Sequence, residues 1–333
     1  MKIIRANSKN FSLFWKKLWN SGNYHYPLYG EYNLNFYKVY SGDEEFSDNS
    51  FVIEDNGESI AGMRVTSSIE TSRELKFSAF NLPSLYFDNA DSNSSSRSWK
   101  LIKKEIEALI SKSDQWSWQH REFLSNAIIS PVGRFFLSIG GESKTQWIQL
   151  IDLNKSENDL LRGISKGCRS CVNWGKDNLK TEILDAGNIS KEHIDKFRAL
   201  HIKVAGRETR NEETWTAQFN MVINYEAFLS FGYIENQLVS AALFSYSNDY
   251  CFYGVSASDR DLFNKPISHV VIWEGILYAR SIGCKWFDLG TQCFPKDLPI
   301  PTKKELSISS FKHSFGGKTT AQLIIEAKSD NLL

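Results

Sequence analysis

One order of predicted elements occurs twice along this chain, and this repetition limits the possible folds more than any other feature. Each half runs helix, strand, tight turn, strand, third strand, helix, strand. In the first half the turn is Asn56-Gly57, a pair that supplies the positive φ of a tight hairpin. In the second half the turn is Glu235-Asn236-Gln237. The order of elements therefore predicts a duplicated α/β unit, with a join near residues 152–159.

Apolar periodicity and turn residues predict the individual elements. The predicted helices are 10–21, 99–110, one after Pro131, one or two within 160–176, 190–204, 212–224, 267–281 and 306–315. The predicted strands are 51–54, 60–65, 75–80, 85–87, 116–118, 145–153, 179–184, 228–234, 238–243, 250–256, a run ending at Asp288, and 321–326. The tyrosine-rich segment 23–40 is predicted as a loop leading into a strand.

Length and charge limit the classes of function. With 333 residues the chain can form two domains, which we place at 1–152 and 153–333. The 39 basic and 39 acidic side chains cancel. No overall attraction to nucleic acid or to an anionic membrane is expected, so any tRNA or phosphate site has to be a local patch.

The start of the chain and the cysteines indicate the compartment. The first residues lack the apolar core of a signal peptide and no stretch is long enough to span a bilayer, so we expect a cytoplasmic protein. Five scattered cysteines are a poor disulfide framework. Cys168-x-x-Cys171 lacks a second pair at matching spacing, so no metal site is expected.

The segment from Lys285 to Ala327 contains the clearest candidate for chemistry. A short apolar strand ends at the carboxylate of Asp288, and the helix predicted at 306–315 is stopped by Gly316-Gly317. Lys312 falls in the last turn of that helix, a position that the helix macrodipole alone favours for a cation. A lysine held between two strand ends near a carboxylate also suits stabilisation of a developing oxyanion.

Two further groups of residues are candidates for binding. Residues 160–176 carry a strip of cations, which is more often a solvated face than a ligand site: Arg162, Lys166, Arg169 and Lys176. His269 lies near the start of the predicted helix 267–281, where a histidine can act as a base or simply as a cap. Gly163-Ile164-Ser165-Lys166-Gly167 matches Gly-x-Ser-x-Gly in letters, but it lies within a segment predicted as helix. No strand-to-helix nucleophile elbow is therefore predicted, and the sequence does not support a serine hydrolase.

Residues 152–326 resemble the C-terminal part of the FemAB family, the aminoacyl-tRNA-dependent transferases that build peptidoglycan cross-bridges. The resemblance rests on Phe-Asp-Leu-Gly, Phe-Lys and Phe-Gly-Gly in that order within 287–317, and on the Phe-Tyr-Gly-Val-Ser strand at 252–256. It also includes the arginine segment at 206–210 and the helix with Trp215 that follows. The first half of the chain is similar only in its architecture.

The basic strip matches the same family in part. Lys166 and Arg169 match its Lys-x-x-Arg helix, which precedes a strand as here. Asn173 and Trp174 stand where the family has a second arginine and a small residue, which weakens the carry-over of phosphate contacts.

The resemblance implies a fold and a set of site residues. The fold is α/β, with two tandem GNAT-like acyltransferase domains and mixed sheets, and its last strand can return to the first domain. Lys312 would stabilise charge on the reacting carbonyl, and the candidates for proton handling are Asp288, Glu326 and Tyr253. The residues implied to contact substrates are Phe311, Arg207, Arg210, Lys166 and Arg169. His269 is added to them as a candidate from its position alone.

Three functions remain open at this point. The first is an N-acyltransferase that moves an aminoacyl group from charged tRNA to the amine of a peptidoglycan intermediate or a nucleotide-linked amino sugar, with no tightly bound cofactor. The second is an acyl-CoA-dependent enzyme of surface polysaccharide biosynthesis, against which residues 258–266 lack a Gly-rich pyrophosphate cradle. The third is a non-catalytic GNAT-like binding domain. The sequence does not indicate the acyl group or the oligomeric state.

Overall fold

A computed structural model describes residues 1–21, 26–42, 46–69, 74–79, 82–89, 92–122 and 128–331. The helices are α1 (Phe11–Ser21), α2 (Glu31–Ser41), α3 (Ser92–Ile110), α4 (Pro131–Ser138), α5 (Glu157–Gly163), α6 (Lys166–Asn178), α7 (Lys191–Ala205), α8 (Glu212–Ile223), α9 (Ile267–Ser281) and α10 (Lys303–Ser314). The strands are β1 (Lys2–Arg5), β2 (Ser47–Asp48), β3 (Phe51–Asp55), β4 (Glu58–Arg64), β5 (Thr66–Ile69), β6 (Leu75–Phe77), β7 (Ser84–Asp88), β8 (Trp116–Glu122), β9 (Glu142–Asp152), β10 (Lys180–Leu184), β11 (Ala227–Ile234), β12 (Gln237–Ser247), β13 (Tyr250–Ser258), β14 (Trp286–Gln292) and β15 (Lys318–Lys328).

The chain divides into two compact units. Unit 1 comprises residues 1–24, 41–146 and 321–333, and unit 2 comprises residues 25–40 and 147–320. The chain thus passes from unit 1 to unit 2 within β9 and returns to unit 1 within β15. The predicted domain boundary at residue 152 stays a prediction.

The sheet of unit 1 is built around a hairpin and a parallel pair. Its strands follow the order β1, β3, β4, β7, β8, β15. The β3–β4 turn has positive φ at Asn56 and Gly57, 52° and 87°, as the Asn-Gly pair predicts. β4 pairs antiparallel with β7, whereas β7 runs parallel to β8. One face carries the apolar core, in which Trp118 and Ile325 pack with Ile102 and Ile106 of α3.

The sheet of unit 2 repeats this plan. Its strands follow the order β9, β14, β13, β12, β11, β10. β11, β12 and β13 are antiparallel neighbours, and β13 runs parallel to β14. Side chains alternate along β12, so Phe244 packs in a core with α6 and α9 while Leu243 packs in a core with α7 and α8. Unit 2 therefore has helices on both faces of its sheet.

Two of the element predictions were wrong. The segment predicted as a loop leading into a strand forms a 3-10 turn at Pro27–Tyr29 and then α2, while residues 23–25 lie outside the described part. The reason is a distant carboxylate: Glu226 accepts hydrogen bonds from the Asn33 backbone N–H at 2.8 Å and from its Nδ2 at 3.0 Å, which stabilises the first turn of α2. β14 does not stop at Asp288 but continues to Gln292 after an irregularity.

No helix in the described part of the chain is both long enough and apolar enough to cross a bilayer.

Candidate active site

A buried carboxylate lies beside an irregularity in β14, which lies between β9 and β13 in the sheet of unit 2. The register of β14 with β9 shifts between Asp288 and Thr291, and Gly290 within this shift has φ +85°. Asp288 is fully buried, and its Oδ1 accepts the Gly290 backbone N–H at 2.6 Å. The hydroxyls of Tyr26 and Tyr250 donate to Oδ2 at 3.4 and 3.2 Å. The carboxylate thus fixes the shape of the irregular turn with donors from three parts of the chain.

The ammonium of Lys312 lies at the same turn. Its Nζ donates to the Thr291 carbonyl at 3.3 Å, and a side chain at Gly290 would begin 3.0 Å from Nζ. Burial lowers the pKa of Lys312, while the charge of Asp288 and, more weakly, of Cys293 opposes the shift. The structure therefore brings Lys312 and Asp288 together at one point, with a half-buried cation above a glycine.

Helix α10 that carries Lys312 is held at both ends. At its start Thr302 and Glu305 form a capping box. At its end Gly316 and Gly317 have φ +81° and +83°, so the predicted glycine stop is confirmed. The end of α10 also contacts the α5–α6 connection, where the Ser165 N–H donates to the Ser314 carbonyl at 2.9 Å.

Phe311 and His269 lie together against the core side of α10. The His269 ring lies 5.1 Å from Phe311 and stacks on Phe315 at 5.8 Å. Burial lowers the pKa of His269, and the Pro266 carbonyl opposes this shift. The imidazole therefore favours its neutral form and packs as an aromatic ring next to the residue that precedes Lys312.

Tyr253 lies on β13, half-buried. Its hydroxyl donates to Ser256 Oγ at 2.7 Å, and its ring lies 5.7 Å from that of Phe244. Burial raises the pKa of the Tyr253 phenol, and its hydrogen bond with Ser256 opposes this shift. The raised pKa favours the neutral phenol.

The two candidate arginines between α7 and α8 differ in their surroundings. Arg207 is exposed, just after the helix-ending Gly206 with φ +73°. Arg210 is half-buried, with its guanidinium 5.2 Å from the Tyr40 ring centre and 5.5 Å from that of Trp215. Burial lowers the pKa of Arg210, and its Nη1 is buried without a hydrogen-bond partner among the described residues. A buried donor of this kind is a candidate for an anionic ligand.

The two candidate cations of α6 also differ. Lys166 is exposed at the first position of the helix. Arg169 points back, and its Nη2 donates to the carbonyls of Arg162 and Ile164 at 3.2 and 3.4 Å. Arg169 thus supports the α5–α6 turn, which is itself in contact with the end of α10.

Glu326 belongs to unit 1, unlike the other candidates, which all belong to unit 2. Its carboxylate accepts Gln119 Nε2 at 3.2 Å and forms an ion pair with Lys144. It lies on the wall of a cavity of about 240 Å³ in unit 1, which Ser78 and Lys328 also line.

Sequence reasoning missed Tyr26, Tyr250 and Gly290 as parts of the site. Tyr26 lies 262 positions before Asp288 in the chain, and no local pattern connects the two. Tyr250 could have been found, since it starts the strand that runs parallel to β14 and is the register partner of Trp286, two residues before Asp288. Among the residues that the structure describes, no group of three or more His, Cys, Asp or Glu could hold a metal ion.

Comparison with known proteins gives a likeness in structure alone. No protein-family model matches the chain, and no curated protein sequence matches it. The structure is similar to that of FemX, with a TM-score of 0.71 and 13% identity over 100% of this chain and 98% of FemX. It is also similar to L-PGS from Bacillus licheniformis, with a TM-score of 0.60 and 12% identity over 94% of this chain and 90% of that one. A tandem GNAT protein from the clavulanic acid biosynthesis pathway gives 0.54 and 11%, over 98% of both chains.

Identities this low establish a shared fold and no shared chemistry. The predicted fold class is confirmed, and the likeness to FemX bears out the predicted family resemblance at the level of the fold. The chain therefore has the FemX-like GNAT fold.

Proposed function

We propose that the protein is an N-acyltransferase that forms an amide bond on the amine of a cell-envelope precursor, with aminoacyl-tRNA as the donor. The acceptor in this proposal is a peptidoglycan intermediate or a nucleotide-linked amino sugar. The observation that carries the proposal is the half-buried Lys312 ammonium at the β14 turn, beside the buried carboxylate of Asp288. The fold shared with FemX and L-PGS supports it. Because charged tRNA is cytoplasmic, the proposal implies a cytoplasmic enzyme.

The proposed reaction needs a cation at the carbonyl oxygen. The acceptor amine attacks the acyl carbonyl, the new C–N bond forms, and negative charge develops on the oxygen. The ester C–O bond to the tRNA ribose then breaks, the ribose oxygen takes a proton, and the amine loses one. Lys312 is proposed to stabilise the oxyanion, and its partial burial strengthens that interaction relative to water. Phe311, the neighbouring ring, is proposed to contact the aminoacyl end.

The proton carriers are proposed from what each group already contacts. Asp288 is buried and accepts hydrogen bonds from Tyr26, Tyr250 and the Gly290 N–H, so its proposed part is to hold the charge of Lys312 in place. The half-buried Tyr253 phenol is proposed, in preference to Asp288, to relay the proton, since its hydroxyl already donates a hydrogen bond to Ser256. His269 is proposed to shape the wall beside Phe311. For Glu326, which is paired with Lys144, a role in proton transfer stays a prediction.

Contacts with phosphate are proposed for the basic residues. The unpartnered Nη1 of Arg210 is the strongest candidate, with the exposed Arg207 beside it in the chain. Lys166, exposed at a helix start next to the end of α10, is proposed to contact the tRNA. Arg169 is proposed to act mainly by supporting that helix start, because its guanidinium already binds two carbonyls.

A donor screen on the purified protein tests the proposal. Charged tRNAs and acyl-CoAs are compared as donors, with a peptidoglycan precursor and nucleotide-linked amino sugars as acceptors, and the amide product is detected by mass spectrometry. Transfer from charged tRNA alone is the expected result. Transfer from acyl-CoA alone would replace the proposal with the acyl-CoA-dependent enzyme. If no donor reacts and a partner is instead retained without turnover, the binding-domain hypothesis is favoured.

A further inference from the structure

The loop between β14 and α10 exposes a group of large apolar side chains. Leu298 is 88% exposed, Ile300 75% and Phe294 44%, and Ile308 on the second turn of α10 is 42% exposed. A single exposed leucine is normal in a folded protein, but a concentration of four such side chains within residues 294–308 is unusual. Transfer of each of these side chains from water to an apolar surrounding is favourable in free energy. We call residues 293–302 the Leu298 loop.

The Leu298 loop is held in its conformation by hydrogen bonds at both ends. The Cys293 N–H donates to Ser309 Oγ at 2.9 Å, and the Phe294 N–H donates to Asp297 Oδ2 at 2.6 Å. At the other end the Thr302 N–H donates to Glu305 Oε2 at 2.7 Å. Prolines at 295, 299 and 301 fix further backbone angles. The apolar side chains are therefore presented by a preformed loop, which loses little conformational entropy when a partner binds.

The charges around the loop are arranged in a way that favours an anionic partner. Lys296, Lys303 and Lys304 are exposed on either side of the apolar residues. The segment also contains two acids, Asp297 and Glu305, which accept backbone N–H groups of the loop, so the three lysines exceed the acids by one positive charge. Because the whole protein has no net charge, this attraction is local. Aliphatic side chains at a tip flanked by lysines match the boundary between acyl chains and anionic headgroups.

We propose that the Leu298 loop, together with Ile308, docks the protein on the surface of an anionic lipid bilayer. Leu298 and Ile300 enter the boundary between headgroups and acyl chains, and the three lysines contact lipid phosphates. A helix rises about 1.5 Å per residue, so Lys312 lies about 14 Å along α10 from Lys303. The docked loop thus holds the N-terminal end of α10 close to the lipid headgroups. This inference does not depend on the proposed reaction, because it requires nothing of Lys312.

Vesicle binding of the full chain tests the proposal. Co-sedimentation is measured with vesicles of phosphatidylcholine alone and with vesicles containing phosphatidylglycerol. The wild type is expected to bind the anionic vesicles about tenfold or more tightly than the neutral ones. The double variant Leu298→Ser, Ile300→Ser is expected to weaken that binding about tenfold or more. The control pair Leu13→Ser, Ile128→Ser replaces side chains that are 60% and 67% exposed and is expected to bind as the wild type does.

Three results would overturn the proposal. One is a wild type that does not bind anionic vesicles, and another is undiminished binding by the Leu298, Ile300 double variant. The third is a wild type that forms a dimer in sedimentation equilibrium, without binding vesicles, when that dimer is lost in the double variant. That outcome would assign the loop to a second copy of the chain. All four substituted residues are exposed, and thermal unfolding verifies that the variants fold.

Discussion

The two units share a strand arrangement and differ in what fills its centre. In unit 1 β7 runs parallel to β8, with Ser84 opposite His120. In unit 2 β13 runs parallel to β14, with Phe252 opposite Asp288. In each sheet a hairpin precedes the parallel pair. The β3–β4 hairpin is followed by β7 in unit 1, and the β11–β12 hairpin is followed by β13 in unit 2. The same topology therefore places a serine and a histidine at the parallel pair of unit 1 and a carboxylate at the parallel pair of unit 2.

In unit 1 these polar residues form hydrogen bonds with one another. Trp118 Nε1 donates to Ser84 Oγ at 2.8 Å, and Ser84 Oγ lies 2.9 Å from His120 Nδ1. His120 Nε2 lies 3.1 Å from Glu122 Oε1, which also accepts Ser130 Oγ at 2.5 Å. The serine, histidine and carboxylate contacts resemble a hydrolase triad, but Ser84 is only 2% exposed and His120 is fully buried. A closed and buried network of this kind stabilises the strand pair and offers a substrate no access.

In unit 2 the corresponding carboxylate faces a cation that is only half-buried. Asp288 is as deeply buried as His120, yet the ammonium of its neighbour Lys312 is half-buried and donates to the Thr291 carbonyl at 3.3 Å. Burial lowers the pKa of Lys312 despite the opposing charge of Asp288, so keeping the ammonium there has an electrostatic cost. The comparison teaches that closed hydrogen bonding marks the His120 network as structural, while a half-buried cation with a lowered pKa marks the candidate for chemistry.

Substitution of Glu122 is expected to have the largest effect, and it acts on stability. In Glu122→Ala, His120 and Ser130 lose their buried partner, and the free energy of unfolding is expected to fall by about 3–5 kcal/mol. Chemical denaturation measures this change. The exposed Glu142→Ala serves as the control, with an expected change within about 0.5 kcal/mol. A small effect of Glu122→Ala would contradict the structural role of the network.

The same carboxylate predicts a dependence of stability on pH. Burial alone would raise the pKa of Glu122, but the hydrogen bonds and charge of His120 and the hydrogen bonds of Ser130 outweigh it and lower the pKa below its ordinary 4.5. A pKa lowered by folding adds stability above the unfolded value, and that stability is lost as the pH falls from about 4.5 through the folded pKa. Acid unfolding of the wild type should contain this component, and acid unfolding of Glu122→Gln should lack it.

Substitution of Lys312 is expected to have the next largest effect, on rate. Lys312→Met keeps the length of the side chain but removes the charge, and turnover is expected to fall by about 10²–10³, as when an oxyanion donor is lost. Stability should stay the same or rise, because a half-buried cation is removed. The exposed Lys318→Met, six positions along the chain, is the matched control. An active and folded Lys312→Met enzyme would remove the proposed role of this residue.

Most of the fold could be predicted from the sequence, because its signals are local. The Asn56-Gly57 turn and the Gly316-Gly317 helix stop each depend on a positive φ that only a few residue types adopt easily. Helix α2 could not be predicted, since the carboxylate of Glu226 that caps it lies 193 positions away from Asn33. Tertiary contacts of this kind override local preference, and one sequence carries no record of them.

The candidate site divides in the same way. Lys312 and Asp288 could be selected from their places at a helix end and near a strand end, and the structure brings them together. Tyr26 and the irregular turn at Gly290 could not, because both depend on pairing between distant segments. From the sequence, Arg169 and Lys166 are equal candidates for phosphate contact, and only the structure distinguishes a guanidinium bound to two carbonyls from an exposed ammonium.

Gly290 tests whether the turn serves Lys312. Gly290→Ala places a Cβ at φ +85°, which is expected to lower the free energy of unfolding by about 1–2 kcal/mol. The new Cβ also lies 3.0 Å from Lys312 Nζ and has to displace it, so activity should fall as well. Gly283→Ala is a close control, with φ +96° and no atom within 4 Å of its Cβ. We expect similar stability losses in the two variants but lost activity only in Gly290→Ala; equal activities would mean that the turn does not position Lys312.

Substitution of Tyr250 is expected to have the smallest effect and sharpens the comparison at the carboxylate itself. Tyr250→Phe removes one donor, at 3.2 Å from Asp288, and leaves Tyr26 and the Gly290 N–H in place, so the free energy of unfolding should fall by only about 1 kcal/mol.

In Tyr250→Phe, Asp288 keeps its negative charge, and that charge raises the pKa of Lys312. The high-pH limb of kcat/KM, along which Lys312 loses its proton, should therefore stay where it is in the wild type. In Asp288→Asn the supporting charge is lost, the pKa of Lys312 falls further, and the same limb should move to lower pH. A limb that moves equally in both variants would mean that the phenol, and not the carboxylate charge, sets the protonation of Lys312.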